Sequence, residues 1–176
     1  FDKGLIKRAI DFELGRNGQV FYVHNEISTI GSVKSFLKNL CPYLSVEIAH
    51  SQVPKNTLKK RLLDFVGGRI DLLLCTSIIG SGIDIPNANT ILINKAQLFG
   101  LAQLHQIRGR VGRGDQRAFA YFMISKGARV TKQGYSRLKT ISKHVSLGSG
   151  YAIAKADMKI RGGGAVFGYK QSGKAF

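Results

Sequence analysis

Five short apolar runs, separated by segments of helical periodicity, constrain the fold of this chain more than any other feature. Each run is rich in Val, Ile, Leu or aromatic residues, and some lack polar alternation, as is typical of parallel strands covered on both faces. Strands that alternate with helices at this spacing predict a doubly wound α/β domain with a mostly parallel sheet. The predicted strands are Val20–Val23, Val46–Ala49, Asp71–Thr76, Thr90–Ile93 and Ala118–Ile124.

Helical periodicity fills the intervals between these strands. Apolar residues recur at the spacing of one helix face, and proline or glycine marks the ends of the segments. Four helices are therefore predicted in the α/β part of the chain. They are Leu5–Glu13, closed by Gly15; Ser28–Leu40, stopped by Pro42; the stripe of Leu58, Leu62 and Phe65 between Pro54 and Gly67; and Leu101–Ile107.

The chain changes character after residue 125. Thr131–Val145 is a candidate for a basic amphipathic helix, and Tyr151–Ile160 is either a second helix or an extended arm. Leu147–Gly150 predicts a turn between them, and Arg161–Gly164 predicts a loop or tight turn because of its three consecutive glycines. We therefore divide the chain into an α/β domain, residues 1–125, and a helical hairpin with a following loop, residues 126–176.

The charge is strongly positive and unevenly distributed. Lys and Arg number 27 against 10 Asp and Glu, which gives a net charge of +17. Residues 126–176 hold 11 basic side chains and 1 acidic side chain, so this short segment carries +10 of that charge. A solvated basic face is one interpretation. The interpretation we favour is a polyanionic partner, most simply nucleic acid.

Several classes of protein are disfavoured by what the sequence lacks. It has no run of about 18 apolar residues and no signal peptide, and a start without Met suggests a cut inside a longer protein. Cys41 and Cys75 are far apart, which leaves a disulfide open but does not call for one. The four histidines are scattered, so no metal site is predicted. These features indicate a reducing, intracellular compartment without a membrane partner.

A glycine-rich segment, Thr76–Pro86, follows the third predicted strand. Ligands of open α/β sheets bind beyond the carboxyl ends of the strands. The Thr76 hydroxyl can hold a phosphate, Gly82 permits close approach of the backbone, and Asp84 offers a carboxylate to ribose hydroxyls or to an arginine. An ordinary glycine-rich turn is the alternative interpretation.

An arginine segment, Gln106–Arg113, follows the fourth predicted helix. Arg108, Arg110 and Arg113 are interleaved with glycines. Guanidinium is a planar fork that pairs with two phosphate oxygens at once. An arginine that neutralises charge on a transferring phosphoryl group is worth roughly 10³–10⁵ in rate. A basic surface loop is the alternative, which the preceding Thr76–Pro86 segment makes less attractive.

Several of these segments together resemble the family of bacterial transcription-repair coupling factors. These are double-stranded DNA translocases of helicase superfamily 2 and are related to the RecG branch-migration helicase. The resemblance covers essentially the whole chain, and it implies a RecA-like lobe of the P-loop NTPase fold, the second lobe of the helicase motor. It rests on Gly18–Asn25, Cys75–Ile93, Phe99–Arg113 and Leu147–Gly173, and Cys75–Ile79, Asn87–Thr90 and Leu147–Gly150 favour the coupling factors over RecG.

The resemblance also implies a role for each candidate site residue. Arg110 and Arg113 would be arginine fingers, and Gln106 would couple the nucleotide to DNA. Gly82 and Asp84 would face the nucleotide, as part of helicase motif V. Residues 131–173 match a translocation module, a helical hairpin and loop that grips duplex DNA. The residues expected to contact DNA are Thr76, His50, Arg108, Arg161 and Gln171.

The partners implied by the resemblance lie largely outside this chain. ATP with Mg²⁺ would be bound mainly by a first RecA-like lobe of the same protein, so this chain alone is expected to be inactive. Double-stranded DNA would be the substrate, RNA polymerase would bind through other domains, and the protein would work in the bacterial cytoplasm at the nucleoid. Gly80 replaces a glutamate that is usual in the family. This departure keeps open a catalytically silent nucleic-acid-binding module, beside a RecG-type branch-migration helicase lobe.

Overall fold

The computed structural model describes residues 2–76, 85–144 and 150–161, and for Arg161 it describes the backbone only. In these ranges, four helices, one 3₁₀ turn and five strands lie up to residue 122, and two further helices follow. The elements are α1 (Lys3–Gly15), β1 (Gln19–Val23), α2 (Ile27–Leu40), β2 (Val46–Ala49), α3 (Lys55–Val66), β3 (Leu72–Cys75), β4 (Ala88–Ile93), a 3₁₀ turn (Ala96–Leu98), α4 (Leu101–Arg108), β5 (Phe119–Phe122), α5 (Lys132–Lys143) and α6 (Gly150–Arg161).

The five strands form one parallel sheet in the order β2-β3-β1-β4-β5. Each predicted strand overlaps an observed strand, so the prediction of a doubly wound α/β sheet is confirmed. The three inner strands are buried along their whole length, whereas both edge strands contain half-buried residues. This distribution explains why continuous apolar runs mark the centre of the sheet.

Two hydrophobic cores cover the opposite faces of the sheet. Alternate residues of a strand point to opposite faces, so Tyr22 packs with helices α1 and α2, whereas Phe21 packs with α3, α4, α5 and α6. The two cysteines are buried free thiols that belong to different cores, Cys41 to the first and Cys75 to the second. A disulfide between them is therefore excluded in this fold.

Helix α1 ends differently from the sequence prediction. Gly15 is the last helical residue, and the chain reverses two residues later, at Asn17, which has a φ of 59°. The Gly18 N–H donates to the Glu13 carbonyl over 2.9 Å, and the Asn17 N–H donates to the Leu14 carbonyl over 3.0 Å. This is the Schellman arrangement, with asparagine in the left-handed position that glycine usually takes. The reversal brings the chain directly into β1.

Helices α5 and α6 pack against each other and against α4. Tyr151–Ile160 is therefore helical, which decides between the two interpretations of that segment. Ile141 of α5 and Ile153 of α6 belong to the same core as strands β1, β3 and β4. The predicted turn Leu147–Gly150 and the predicted loop Arg161–Gly164 lie outside the described residues, except that Gly150 and Arg161 are the first and last residues of α6. The domain division at residue 125 stays a prediction. None of the helices in the described ranges is long and apolar enough to cross a membrane.

Candidate functional site

Polar residues follow four neighbouring strands at one edge of the sheet. The last residues of β2, β3, β1 and β4 lie in register. The residue after each strand therefore lies at the same carboxyl edge, where ligands of open α/β sheets bind. In sheet order these residues are His50, Thr76, His24 and Asn94.

His24 is held rigidly in the middle of this row. The Asn94 side-chain amide donates to Nδ1 over 2.8 Å, so that Nε2 carries the proton and donates to the Thr29 hydroxyl over 2.7 Å. Only 3% of His24 is exposed. Burial lowers the pKa of His24 from its ordinary value of 6.5, Glu26 opposes this shift and Lys95 adds to it. Its neighbours therefore hold His24 as a neutral, buried residue with both ring nitrogens hydrogen-bonded.

Acidification should destabilise the fold through His24. Because its pKa is lower in the folded chain, the unfolded chain binds the proton more readily, and stability falls as the pH drops through about 6.5. We expect the thermal midpoint to fall between about pH 7.5 and about pH 5.5, and to fall less in a His24→Gln variant. The pKa of His105 is also lowered, by burial and by Arg108. Both proteins contain His105, so the difference between the thermal midpoints of the parent chain and the His24→Gln variant isolates the effect of His24. Parallel pH curves for the two proteins would contradict this effect.

His50 and Thr76 lie at the same edge of the sheet in less enclosed positions. Both are half-buried. The His50 ring accepts a hydrogen bond from the Gln52 N–H over 3.2 Å, and its carbonyl accepts one from the Val53 N–H over 3.1 Å. His50 therefore shapes the turn that leads into α3, and Thr76 follows the end of the neighbouring strand β3.

Some predicted site residues lie outside the described part of the chain. They are Gly82 and Asp84, which were assigned to the nucleotide, Gln171, which was assigned to DNA, and Gly80, the departure from the family pattern. Arg161 is the last residue of α6, and its side chain is not described. The roles of these residues stay predictions.

The arginine segment begins on a firmly packed helix. Leu101, Leu104 and Ile107 of α4 are buried in the core. Because these three residues occupy the inner face, Gln106 is exposed on the outer face. Helix α4 ends at Arg108, and Gly109 follows as its C-terminal cap. The core thus holds the start of the segment in one orientation.

The end of the arginine segment lies close to the end of the glycine-rich segment Thr76–Pro86. A Cβ at Gly114 would lie 3.0 Å from the Pro86 carbonyl oxygen, so the two backbones approach too closely for a side chain. Between these fixed points Arg110 is half-buried and Arg113 is exposed. Gly114, which follows the arginine segment, is therefore a neighbour in space of Pro86, which ends the glycine-rich segment.

Arg108 occupies a different position from the other arginines. Its guanidinium donates to the carbonyl of Ile141 over 3.1 Å and to that of His144 over 2.5 Å, at the carboxyl end of α5. Burial lowers its pKa, but an arginine stays cationic under all ordinary conditions. A cation at a helix carboxyl end also interacts favourably with the helix dipole. Arg108 therefore connects the arginine segment to the α5–α6 hairpin, and its predicted DNA contact stays a prediction.

Sequence reasoning missed one ion pair at the carboxyl edge. Lys95, which has a φ of 52°, follows Asn94 and contacts the Glu26 carboxylate over 2.7 Å. The carboxylate also accepts a hydrogen bond from Thr29, and these contacts lower the pKa of Glu26. The two residues are 69 positions apart, so no local pattern could have predicted the pair.

Three comparisons with known proteins bear on this site. The model of the helicase conserved C-terminal domain matches residues 4–115. The transcription-repair-coupling factor of Helicobacter pylori is 50% identical over 169 residues, which are 96% of this chain and 17% of the relative. That of Myxococcus xanthus is 45% identical over 173 residues, 98% of this chain and 14% of the relative. This chain thus spans about 17% or less of the length of these relatives.

A solved structure extends the comparison to the fold. The structure of RecG bound to a three-way DNA junction superimposes with a TM-score of 0.76 at 32% identity, and the match covers 93% of this chain and 21% of that chain. The resemblance to the coupling factors and the relation to RecG, both expected from the sequence, are confirmed. The similarity extends over the α5–α6 hairpin as well as the α/β lobe.

Proposed function

This chain belongs to the helicase conserved C-terminal domain family, and we propose that it is the second motor lobe of an ATP-dependent double-stranded DNA translocase. In this proposal the lobe acts in transcription-coupled DNA repair, as its relatives' name indicates. It contributes arginine fingers to ATP hydrolysis and grips the duplex. Hydrolysis requires the first lobe, so the 176-residue chain is inactive alone.

The position of the arginine segment is the observation that carries this proposal. Arg110 and Arg113 follow a helix that is packed into the core, and Gly114 holds the end of the segment beside Pro86. A rigid support for two guanidinium groups suits the stabilisation of charge in a transition state. Gln106, exposed on the same helix, would couple the nucleotide to DNA.

In this proposal, ATP and Mg²⁺ bind in a cleft between two lobes, and this chain provides only one side of the cleft. When bound, ATP supplies the phosphoryl group whose transfer releases energy. Arg110 and Arg113 would neutralise charge on its phosphates, with Gly82 and Asp84 facing the nucleotide. In residues 2–76, 85–144 and 150–161, no three His, Cys, Asp or Glu side chains converge as a metal site. In this proposal the acidic ligands of Mg²⁺ belong to the first lobe.

DNA contact is proposed for the carboxyl edge of the sheet and for the hairpin. Thr76 and His50 lie in one row at that edge, and Arg161 ends α6. The Arg108 contacts to α5 offer a physical route by which movement of the arginine segment displaces the hairpin. Closing of the two lobes would then shift the grip of the hairpin along the duplex.

Salt should weaken duplex binding steeply if this grip is made by phosphates. Contacts to about 4–6 phosphates predict a log–log slope of roughly −4 to −5. Between about 50 and 200 mM KCl the affinity of the two-lobe protein should therefore fall roughly 10²–10³-fold. Fluorescence anisotropy with a labelled duplex measures this, and a second duplex of unrelated sequence should give the same curve. An affinity that is flat in salt would contradict the phosphate grip.

Two other functions remain testable. A RecG-type branch-migration helicase lobe is favoured by the structural match to RecG, and the identity of the domains beyond this chain distinguishes it from a coupling factor. We favour the coupling factor because those relatives reach 50% identity against 32% for RecG. RNA polymerase would then bind through other domains, and the protein would work in the bacterial cytoplasm. A catalytically silent nucleic-acid-binding module is the second alternative, and loss of the arginine fingers tests it.

A further inference from the structure

Helix α3 exposes an apolar pair of side chains on its outer side. Its inner side is fixed by Phe65, which is fully buried, and by Leu58 and Leu62, which pack against the same core. On the outer side, Leu63 is 57% exposed and Val66 is 40% exposed. Residues three apart are neighbours on a helix surface, so these two side chains form one apolar patch. The motor function proposed above does not use this patch.

Unneutralised lysines accompany the patch on the same helix. The helix contains four basic residues and one acidic residue. The acidic residue, Asp64, is already paired with Arg69 over 2.6 Å. On the neighbouring strand β2, Glu47 is already paired with Arg61 over 3.1 Å. In the described part of the chain, the helix lysines that make no ion pair are Lys55, Lys59 and Lys60.

These lysines do not serve the stability of the helix. Lys55 lies in the first turn, where a cation opposes the helix dipole, and no acidic residue occupies that turn. Lys55 and Lys59 are four residues apart, a spacing at which like charges destabilise a helix. The aliphatic stems of lysines beside Leu63 extend its apolar surface, while their ammonium groups stay in water. Such a surface suits a partner that is both apolar and anionic.

The patch lies away from the edge of the sheet where DNA contact is proposed. Helix α3 follows the carboxyl end of β2 and leads to the start of β3, so it runs from the carboxyl edge of the sheet to the amino edge. It is about 18 Å long, and Leu63 and Val66 lie in its last turn, near the amino edge. Nucleic acids are contacted mainly through phosphate and sugar. The exposed apolar pair therefore favours a protein partner.

A groove of about 360 Å³ lies beside the patch, between α3 and the edge strand β2. Lys60, Thr57 and Ser45 line this groove and offer an ammonium group and two hydroxyls to a carboxylate. The edge of β2 is protected against pairing with a further strand, because Arg61 donates to the carbonyl of Ile48 over 2.6 Å. A helix that lies along α3 can instead reach both the patch and the groove with its side chains.

We propose that the outer face of α3 binds an acidic amphipathic helix of a second protein. Apolar side chains of that helix pack on Leu63 and Val66, and its carboxylates contact Lys59 and Lys60. A second copy of this chain is disfavoured as the partner by its net charge of +17. The proposal adds a protein partner to the DNA and the nucleotide, and it does not depend on the mechanism of ATP hydrolysis.

Fluorescence anisotropy of a labelled peptide with the full-length protein tests the proposal. The probe is an alanine-based helical peptide of about 16 residues, with leucines on one face and glutamates beside them. We expect Leu63→Ser to weaken binding at least about 10-fold, and the combined Lys59→Glu and Lys60→Glu variant to do the same. A second probe, with lysine in place of glutamate, should bind this charge-reversed variant and not the parent protein.

A matched control separates this surface from the overall charge. Lys126→Glu combined with Lys132→Glu changes the net charge equally at two exposed positions outside α3. It should change the affinity for the glutamate probe by less than about twofold. The charge-reversed α3 variant should keep its thermal midpoint, because acidic residues suit the first half of a helix. Lost binding would then reflect the surface and not unfolding.

Several results would overturn the proposal. They are no binding of the glutamate probe by the full-length protein, equal binding by the α3 variants, and equal binding of both probes by the parent protein. If the α3 variants lose as much affinity for duplex DNA as for the probe, the face belongs to nucleic acid. If Leu63→Ser changes the sedimentation of the protein alone, a second copy covers it. All of these measurements are made without ATP, so their failure leaves the motor function intact.

Discussion

Replacing Arg113 with alanine in the two-lobe protein should lower kcat for ATP hydrolysis by about 10³-fold or more, and Arg110→Ala should act similarly. The physical reason is that a positioned guanidinium neutralises charge that develops on the transferring phosphoryl group. Arg110 is half-buried beside the exposed Arg113 on a segment held by α4 and by the contact of Gly114 with Pro86. Steady-state ATPase assays with saturating DNA measure the effect.

A matched control separates catalysis from a general loss of charge. Arg69→Ala also removes an exposed arginine, but Arg69 precedes β3 and pairs with Asp64, away from the carboxyl ends of the strands. The kcat of this variant should therefore stay within about twofold of the parent value. If the Arg110 and Arg113 variants keep their ATPase and lose only DNA affinity, the chain is a nucleic-acid-binding module. Hydrolysis by the isolated 176-residue chain would contradict the two-lobe mechanism.

Replacing Gly18 with alanine should destabilise the fold by about 3 kcal/mol, which lowers the thermal midpoint by roughly 6–12 °C. The added Cβ would lie 1.7 Å from Oε1 of Glu13 and 2.6 Å from its Cδ. This carboxylate is fully buried, accepts a hydrogen bond from Thr90 over 2.5 Å and pairs with Arg16 over 2.5 Å. The carboxylate would have to give up these contacts, and a buried charge without partners is costly.

Gly15→Ala provides the control for this prediction. Gly15 is the last residue of the same helix, and no heavy atom lies within 4 Å of the position of its Cβ. Alanine there should leave the thermal midpoint unchanged or raise it slightly, because it reduces the freedom of the unfolded chain. Scanning calorimetry of both variants decides the matter. Equal midpoints for Gly18→Ala and the parent chain would show that Glu13 can relocate without cost.

Most of the fold was predictable because its signals are local. The inner strands are buried on both faces, and so their apolar composition identified them directly. The end of α1 was less predictable, because both Gly15 and Asn17 can end a helix, and the reversal occurs at Asn17. The segment from Tyr151 to Ile160 was ambiguous as well. Packing of α6 against α4 and α5 made it a helix.

The residues of the candidate site also differ in how far the sequence could predict them. Arg110 and Arg113 were identified from sequence because arginines and glycines are adjacent along the chain. His24 directly follows the first predicted strand, and its role as a buried neutral residue depends on Asn94, which is 70 residues away. No sequence pattern predicts which of several polar residues at a sheet edge hydrogen-bond to each other and which remain available to a ligand.

By itself, the sequence determined the order of strands and helices, the family and the arginine segment, because each of these is written in neighbouring residues. Only the tertiary structure decided that Arg108 binds the carboxyl end of α5 while Arg110 and Arg113 lie beyond it. It also decided that Glu47 of the edge strand β2 pairs with Arg61 and Lys34, which come from two different helices. These outcomes depend on contacts between residues that are far apart in the chain, and such contacts form only when the helices pack on the sheet.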